Sequence, residues 1–396
     1  MDLESSSTLA VTARVRELKA AGKAVIGFGA GEPDFGTPLP IRQAAIDALL
    51  AGQTHYMPVP GDPAARQAIA EKLQRENQIN CTGEDIVITV GGKHAIYLAL
   101  QALVNEGEQV IVPTPAWVSY VPMVRLCGGE PIQVPGPVEG DFKITPRQLE
   151  AAITPQTRAM LLNSPSNPCG TMYRPEEIRA LVDVLAAHDQ IVLISDEIYE
   201  KLIYGGIEHF SPGSIEAVAD RVVTINGLSK AYAMTGWRIG YACAPGNGGG
   251  LAKAIAKLQG QMTSHITSFT YAAIVDALAN RAEDVEAMRR TFARRAELMY
   301  GLVSAMPDLV CPKPTGAFYV FPDVSAHFGK RSPGGRTIDS CLSFAEALLE
   351  EALVALVPGD GFGKCGKAHV RLSFACSDED IEEGCRRMHE WIEKLG

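Results

Sequence analysis

The chain has 396 residues, 46% hydrophobic and 21% charged, proportions ordinary for a globular protein and sufficient for two or three domains at about 150 residues each. A formal charge of -10 with no offsetting basic run argues against a nucleic-acid partner, and no stretch approaches the ~18 uninterrupted apolar residues of a membrane span. Nine cysteines scattered from Cys81 to Cys385 without a C-x-x-C pair, and eight dispersed histidines, argue against a disulfide framework or a zinc site. The amino terminus, MDLESSSTLAVTARVRELK, has neither the apolar core of a secretory signal nor an Arg-rich transit segment, so a cytoplasmic location is expected.

Along the chain, short β-branched runs alternate with amphipathic stretches, the pattern of a mainly parallel sheet covered by helices. Runs at 85–90, 109–112, 159–163, 191–195, 222–226 and 239–242 predict strands. Residues 94–104 and 175–188 predict helices, the second introduced by Arg174, Pro175 and two glutamates, which suit a first helical turn. From about residue 282 the texture changes. A long charged helix precedes a strand-like run at 316–321, a helix near 344–353 and a second run at 369–374, and Ser377 with the acids after it predicts the N-cap of a last helix. The expected fold class is α/β: a large domain over 33–281 and a smaller α+β domain over 282–396, with 1–32 as an arm that contributes to the small domain.

In open α/β sheets ligands gather beyond the carboxyl ends of the strands, so the polar residues that follow each run carry the search for chemistry. Gly91, Gly92 and Lys93 follow 85–90 at the start of a helix, where free N–H groups and the helix dipole favour an anion; a plain turn also explains two glycines. After 159–163 the segment Ser164 to Gly170 (SPSNPCG) can present the Asn167 amide at the sheet edge, or act only as a turn. In IVLISDEIYEKL a buried strand ends at Asp196, with Glu197 and Tyr199 next; alone, that aspartate would read as a strand-end cap or an ion pair. The next strand leads into GLSKAYAMTGWRIG, which brings Lys230 and Arg238 to the same edge. A buried lysine near other cations can lose its proton and attack aldehydes, and an arginine can grip a phosphate in bidentate fashion.

With these residues in place the sequence resembles the fold-type I pyridoxal-phosphate enzymes, specifically the class I aminotransferases, and most closely the aspartate and aspartate/prephenate aminotransferases. The resemblance runs through GAGEPDFGTP, Tyr56, GGK, PAWVSY, NSPSNPCG, SDEIYE, SKAYAMTGWRIGYA, KLQGQ, PTGAFY, VPGDGFG and RLSFA. It implies pyridoxal 5'-phosphate as cofactor, carried on Lys230, with Asp196 paired to the ring nitrogen, Asn167 and Tyr199 bonded to the ring hydroxyl and Trp117 stacked on the ring. Gly92, Lys93, Ser229 and Arg238 fall where the family holds the phosphate, and Tyr56 would reach the phosphate of a neighbouring subunit in a homodimer with a shared active site. Arg371, with Asn167 and the Gly29 backbone, is assigned to the substrate α-carboxylate, although a surface salt-bridge role also fits the sequence. Lys93 and Thr8 match positions that read a second carboxylate. The implied activity is ping-pong transfer of an amino group between L-aspartate and 2-oxoglutarate, with prephenate as a further acceptor; other enzymes on this cofactor, such as lyases and decarboxylases, share the same lysine and aspartate. Gly27-x-Gly29-x-Gly31 imitates a dinucleotide loop, but Glu32, Pro33 and Asp34 follow it rather than a helix.

Overall fold

The structure, a computed structural model, describes residues 7–396; the side chains of residues 7–12 and of Asn247 lie outside that description. Seven strands form the central sheet: β1 (Ile86–Val90), β2 (Gln109–Thr114), β3 (Glu130–Pro135), β4 (Thr157–Asn163), β5 (Val192–Asp196), β6 (Val222–Gly227) and β7 (Ile239–Cys243). Their spatial order is β1-β7-β6-β5-β4-β2-β3. All neighbours are parallel except β7, which runs antiparallel to both β1 and β6. The chain leaves β2 for β3 on one side and runs from β4 through β6 on the other, so a crevice opens beyond the carboxyl ends of the central strands, the place where such sheets receive ligands.

Burial explains why the strand runs are apolar without alternation. The β1 and β6 strands are buried on both faces, as parallel-rich sheets require. Ala95, Ile96 and Ala99 of helix Gly91–Leu103 pack on one face with Val87, Val110 and Ile225. Ile178, Leu181 and Leu185 of helix Pro175–Ala186 pack on the other with Met160, Leu162 and Leu193. Each valine, leucine, isoleucine or methionine side chain among them contributes about 1.5–3 kcal/mol on leaving water, before the cost of ordering it.

Beyond residue 282, helices Ala282–Ser304, Cys341–Ala352 and Asp378–Ile392 cover a small antiparallel sheet of Val357–Pro358, Val370–Ser373 and Tyr319–Val320. Phe292, Phe318, Phe344, Phe374 and Trp391 fill its core. Ile26–Gly27 pairs with Val354–Ala355, which ties the amino-terminal segment to this half. The Ser377 hydroxyl accepts from the Asp380 N–H, as the sequence predicts. Several details differ from the sequence reading, among them the following. The runs at 316–321 and 369–374 contract to the two residues Tyr319–Val320 and the four residues Val370–Ser373; β5 extends to include Asp196; and β3 has no counterpart among the predicted strands.

Candidate active site

Gly91 begins its helix with φ +78, and a Cβ there would lie 2.5 Å from the Arg238 guanidinium. Glycine therefore answers two demands at once, a left-handed backbone and room for an arginine against the helix N-terminus. Arg238 itself has φ 58, one residue past the turn Thr235–Trp237, and donates to the Thr235 carbonyl at 2.8 Å. Two residues into the same helix, the Lys93 ammonium sits 4.8 Å from the centre of the Trp117 ring. Its pKa falls below the ordinary lysine value because of burial, assisted by Arg238. Helix N–H groups, Arg238 and Lys93 thus make one cationic end of a cavity of about 510 Å³, which Gly92 and Ser229 also line.

Trp117, Asp196, Tyr199 and Lys230 form its middle. Asp196 is 5% exposed. The Tyr120 hydroxyl donates to one of its oxygens at 2.5 Å and the Ile198 N–H to the other at 3.2 Å, with no cation paired to it among the described residues. Burial pushes the Asp196 carboxyl up to about 6 against the opposing pull of these two hydrogen bonds. The Lys230 ammonium donates to the Gly31 carbonyl. Its pKa is lowered to about 8, first by burial, with Arg371 and Arg238 adding to the effect and Glu32 and Asp196 resisting it. The Tyr199 hydroxyl lies 2.9 Å from that of Tyr319.

Gly29, Asn167 and Arg371 complete the cavity. Arg371 is 4% exposed, so the surface salt-bridge reading fails. Its guanidinium donates to the Asn167 side-chain oxygen and to the Gly29 carbonyl, each at 3.0 Å, and lies 4.5 Å from the Tyr319 ring centre; its Nε is buried without a partner among the described residues. Asn167 is itself fixed by its N–H, which donates to the Asn163 side chain.

Of the residues expected at the site, one is not among those lining this cavity and another lies outside the described side chains. Tyr56 is 91% exposed, its ring edge-on to His265 at 5.8 Å. Thr8 falls in the first turn of helix Ser7–Ala20, where its side chain is outside the described residues. Conversely, the sequence reading gave no role to Tyr120 or Tyr319, although both belong to quoted motifs. It also passed over Glu32, which accepts from the Thr235 hydroxyl at 2.6 Å.

Behind Asp196 and Tyr199, a buried polar network holds the segment that carries them. Glu200 pairs with Lys72, and Asn77 donates to both Glu197 and Glu200, whose third neighbour is His209. Burial raises the Glu200 pKa, but Lys72, Lys201 and His209 outweigh it and bring the value to about 2. Glu200 therefore stays charged, with Lys72 as its ion-pair partner.

The family model for class I and II aminotransferases matches residues 23–388. The chain is 46% identical over 392 residues to the aspartate aminotransferase of Geobacillus stearothermophilus, covering 99% of this chain and 97% of that protein. It is 46% identical over 394 residues to the aspartate/prephenate aminotransferase of Cereibacter sphaeroides, with the same coverage. In three dimensions it is similar to the crystal structure of the aspartate aminotransferase from Rhizobium meliloti, with a TM-score of 0.95 at 40% identity over 100% of this chain and 98% of that one.

Proposed function

Because the chain belongs to the class I and II aminotransferase family, we propose that it is an aspartate aminotransferase that uses pyridoxal 5'-phosphate to pass an amino group from L-aspartate to 2-oxoglutarate, and that it also aminates prephenate. The observation that carries this reading is one cavity holding a lysine lowered to about 8, a buried aspartate with no cation paired to it among the described residues, and a buried arginine. The site fits the cofactor in three respects: the space a Gly91 Cβ would fill brings Arg238 to a helix N-terminus, as a phosphate needs; Asp196 lacks the positive partner that a protonated ring nitrogen would be; and Trp117 lines the same cavity.

When bound, the cofactor supplies an aldehyde for amine exchange and a ring that takes up an electron pair. This chain's residues do the rest. Lys230 anchors the cofactor and, once displaced, moves a proton to and from the substrate Cα. Asp196 holds the proton on the ring nitrogen, with Tyr120 fixing the carboxylate; Tyr199 and Asn167 bond the ring hydroxyl. Gly92, Lys93, Ser229 and Arg238 receive the phosphate. Arg371, with Asn167 and the Gly29 backbone, orients the α-carboxylate, and Lys93 and Thr8 read the distal one. Two half-reactions alternate at this single site, releasing oxaloacetate before 2-oxoglutarate enters.

The same reading extends to assembly and location. Tyr56, Leu39, Leu49, Leu50 and Met262 are exposed, which supports a homodimer in which Tyr56 reaches the other subunit's site. We read 33–281 as the large domain and 282–396 as the small one, with 1–32 as an arm that contributes to the small domain. Unpaired, scattered cysteines suit the reducing cytoplasm, and among the described residues no helix is long and apolar enough to cross a membrane.

Borohydride reduction of the loaded protein and peptide mass mapping should recover the cofactor on Lys230, and Lys230→Ala should bind it without a covalent link. Recovery on another lysine, or loss of aspartate without any keto-acid acceptor, would overturn the reading.

A further inference from the structure

We propose that Tyr319 is a positioning residue with two separable tasks: its hydroxyl strengthens the hydrogen bond that Tyr199 gives the cofactor, and its ring holds Arg371 in the plane that receives the α-carboxylate. The inference rests on the function proposed above and assigns a new role within that site.

Tyr319 has no solvent exposure and comes from the small sheet, where it pairs with Ser373, two residues from Arg371. Its hydroxyl meets the Tyr199 hydroxyl at 2.9 Å, the one hydrogen bond that it makes among the described residues. Each phenol has a single proton. If Tyr199 donates to the ring hydroxyl of the cofactor, its own oxygen is left as an acceptor, and the Tyr319 proton must point to it. Burial raises the Tyr319 phenol above its ordinary range, so that proton is retained at working pH. A phenol that accepts one hydrogen bond donates the next more strongly, because the two polarise each other in a low-dielectric site.

The second task follows from the face of the ring. The Arg371 guanidinium carbon lies 4.5 Å from the Tyr319 centroid, while its two terminal nitrogens donate to Asn167 and Gly29. Those two bonds leave the guanidinium free to pivot about the line that joins them. Contact with the aromatic face restrains that motion where Arg371 lines the cavity that would receive a carboxylate. Tyr199 and Arg371 come from distant parts of the chain, and Tyr319 touches both.

The test separates hydroxyl from ring with Tyr319→Phe and Tyr319→Leu in the cofactor-loaded protein. Without the Tyr319 proton, Tyr199 donates less strongly and more negative charge stays on the ring oxygen, which holds the neighbouring proton more tightly. The midpoint of the pH titration of the visible absorbance should therefore rise by about 0.5 to 1 pH unit in Tyr319→Phe. The dissociation constant for succinate, a dicarboxylate that binds without reacting, should stay within about twofold of wild type, because the ring is kept. In Tyr319→Leu the same midpoint shift should be joined by an increase of about five- to thirtyfold in that constant. Should the leucine variant not fold, Tyr319→Met, flexible and without a ring, carries the same comparison. A wild-type midpoint in Tyr319→Phe, or equal weakening of succinate in the phenylalanine and leucine variants, overturns the assignment while leaving the proposed function intact. Absence of a Lys230-linked cofactor in the wild type overturns both.

Discussion

At the scale of single residues, Asp196 carries a cost that the apoprotein bears alone. Its carboxyl titrates near 6 when folded, against 3.8 for the free group, and burial is the largest cause. The folded state therefore binds more protons than the unfolded state between about pH 4 and 6, and stability falls as pH rises through that window. At pH 7 the penalty is nearly complete and on the order of 3 kcal/mol. Asp196→Asn, which keeps an acceptor for Tyr120, should raise the thermal midpoint of the apoprotein at pH 7, with the gain fading as the pH approaches 4; turnover should collapse in the same variant. A midpoint difference that does not change with pH would show that Asp196 is already paired with a cation. The aspartate itself was legible, because a carboxylate at the end of an apolar strand needs an explanation. Its donor Tyr120 was not: nothing local connects that residue to a strand 76 positions later. Tyr319 lay hidden in the same way, since its partners Tyr199 and Arg371 meet it only in the folded chain.

At the scale of elements, the junction between β1 and helix Gly91–Leu103 depends on a residue without a side chain. Gly91→Ala would place a methyl in a left-handed backbone and push the Arg238 guanidinium aside. The displaced atoms are the end of a flexible side chain, so the fold should survive, at a cost of about 1 kcal/mol for the backbone. Cofactor affinity, measured by equilibrium dialysis, should fall about tenfold or more, because a charge-assisted contact to the phosphate is lost. Unchanged affinity would mean that Arg238 does not hold the phosphate. The sequence revealed the strands around this junction because β1, β4, β5 and β6 are continuous β-branched or apolar runs. It did not reveal β3, which carries Pro131 and Pro135; an edge strand tolerates prolines that lack a donor, and β3 is the edge. Helix Pro63–Asn77 was obscured for another reason. Its buried face includes Arg66, Lys72 and Asn77, so the apolar period that marks an amphipathic helix is broken where the helix meets Glu197 and Glu200.

At the scale of the whole molecule, one expected site residue stands apart from the cavity it was assigned to. Tyr56 is almost fully exposed while Arg238 and Lys93 line the cavity, an arrangement that makes sense if each site borrows its tyrosine from a second copy. The exposed Leu39, Leu49 and Leu50 of helix Leu39–Leu50, with Met262, offer apolar surface that such a dimer would cover. Complementation tests this more directly than a mass measurement, because a dimer need not share its sites. A Tyr56→Ala subunit retains its own Lys230, and a Lys230→Ala subunit retains its own Tyr56; each homodimer should transfer amino groups poorly. Unfolded together and refolded at equal amounts, half of the dimers become hybrids, and each hybrid has one site with both residues. Activity should then recover to about one quarter of wild type, one intact site in two within half of the population. Activity no greater than the average of the two parents would show that Tyr56 serves its own subunit or none, and the exposed ring beside His265 would need another role.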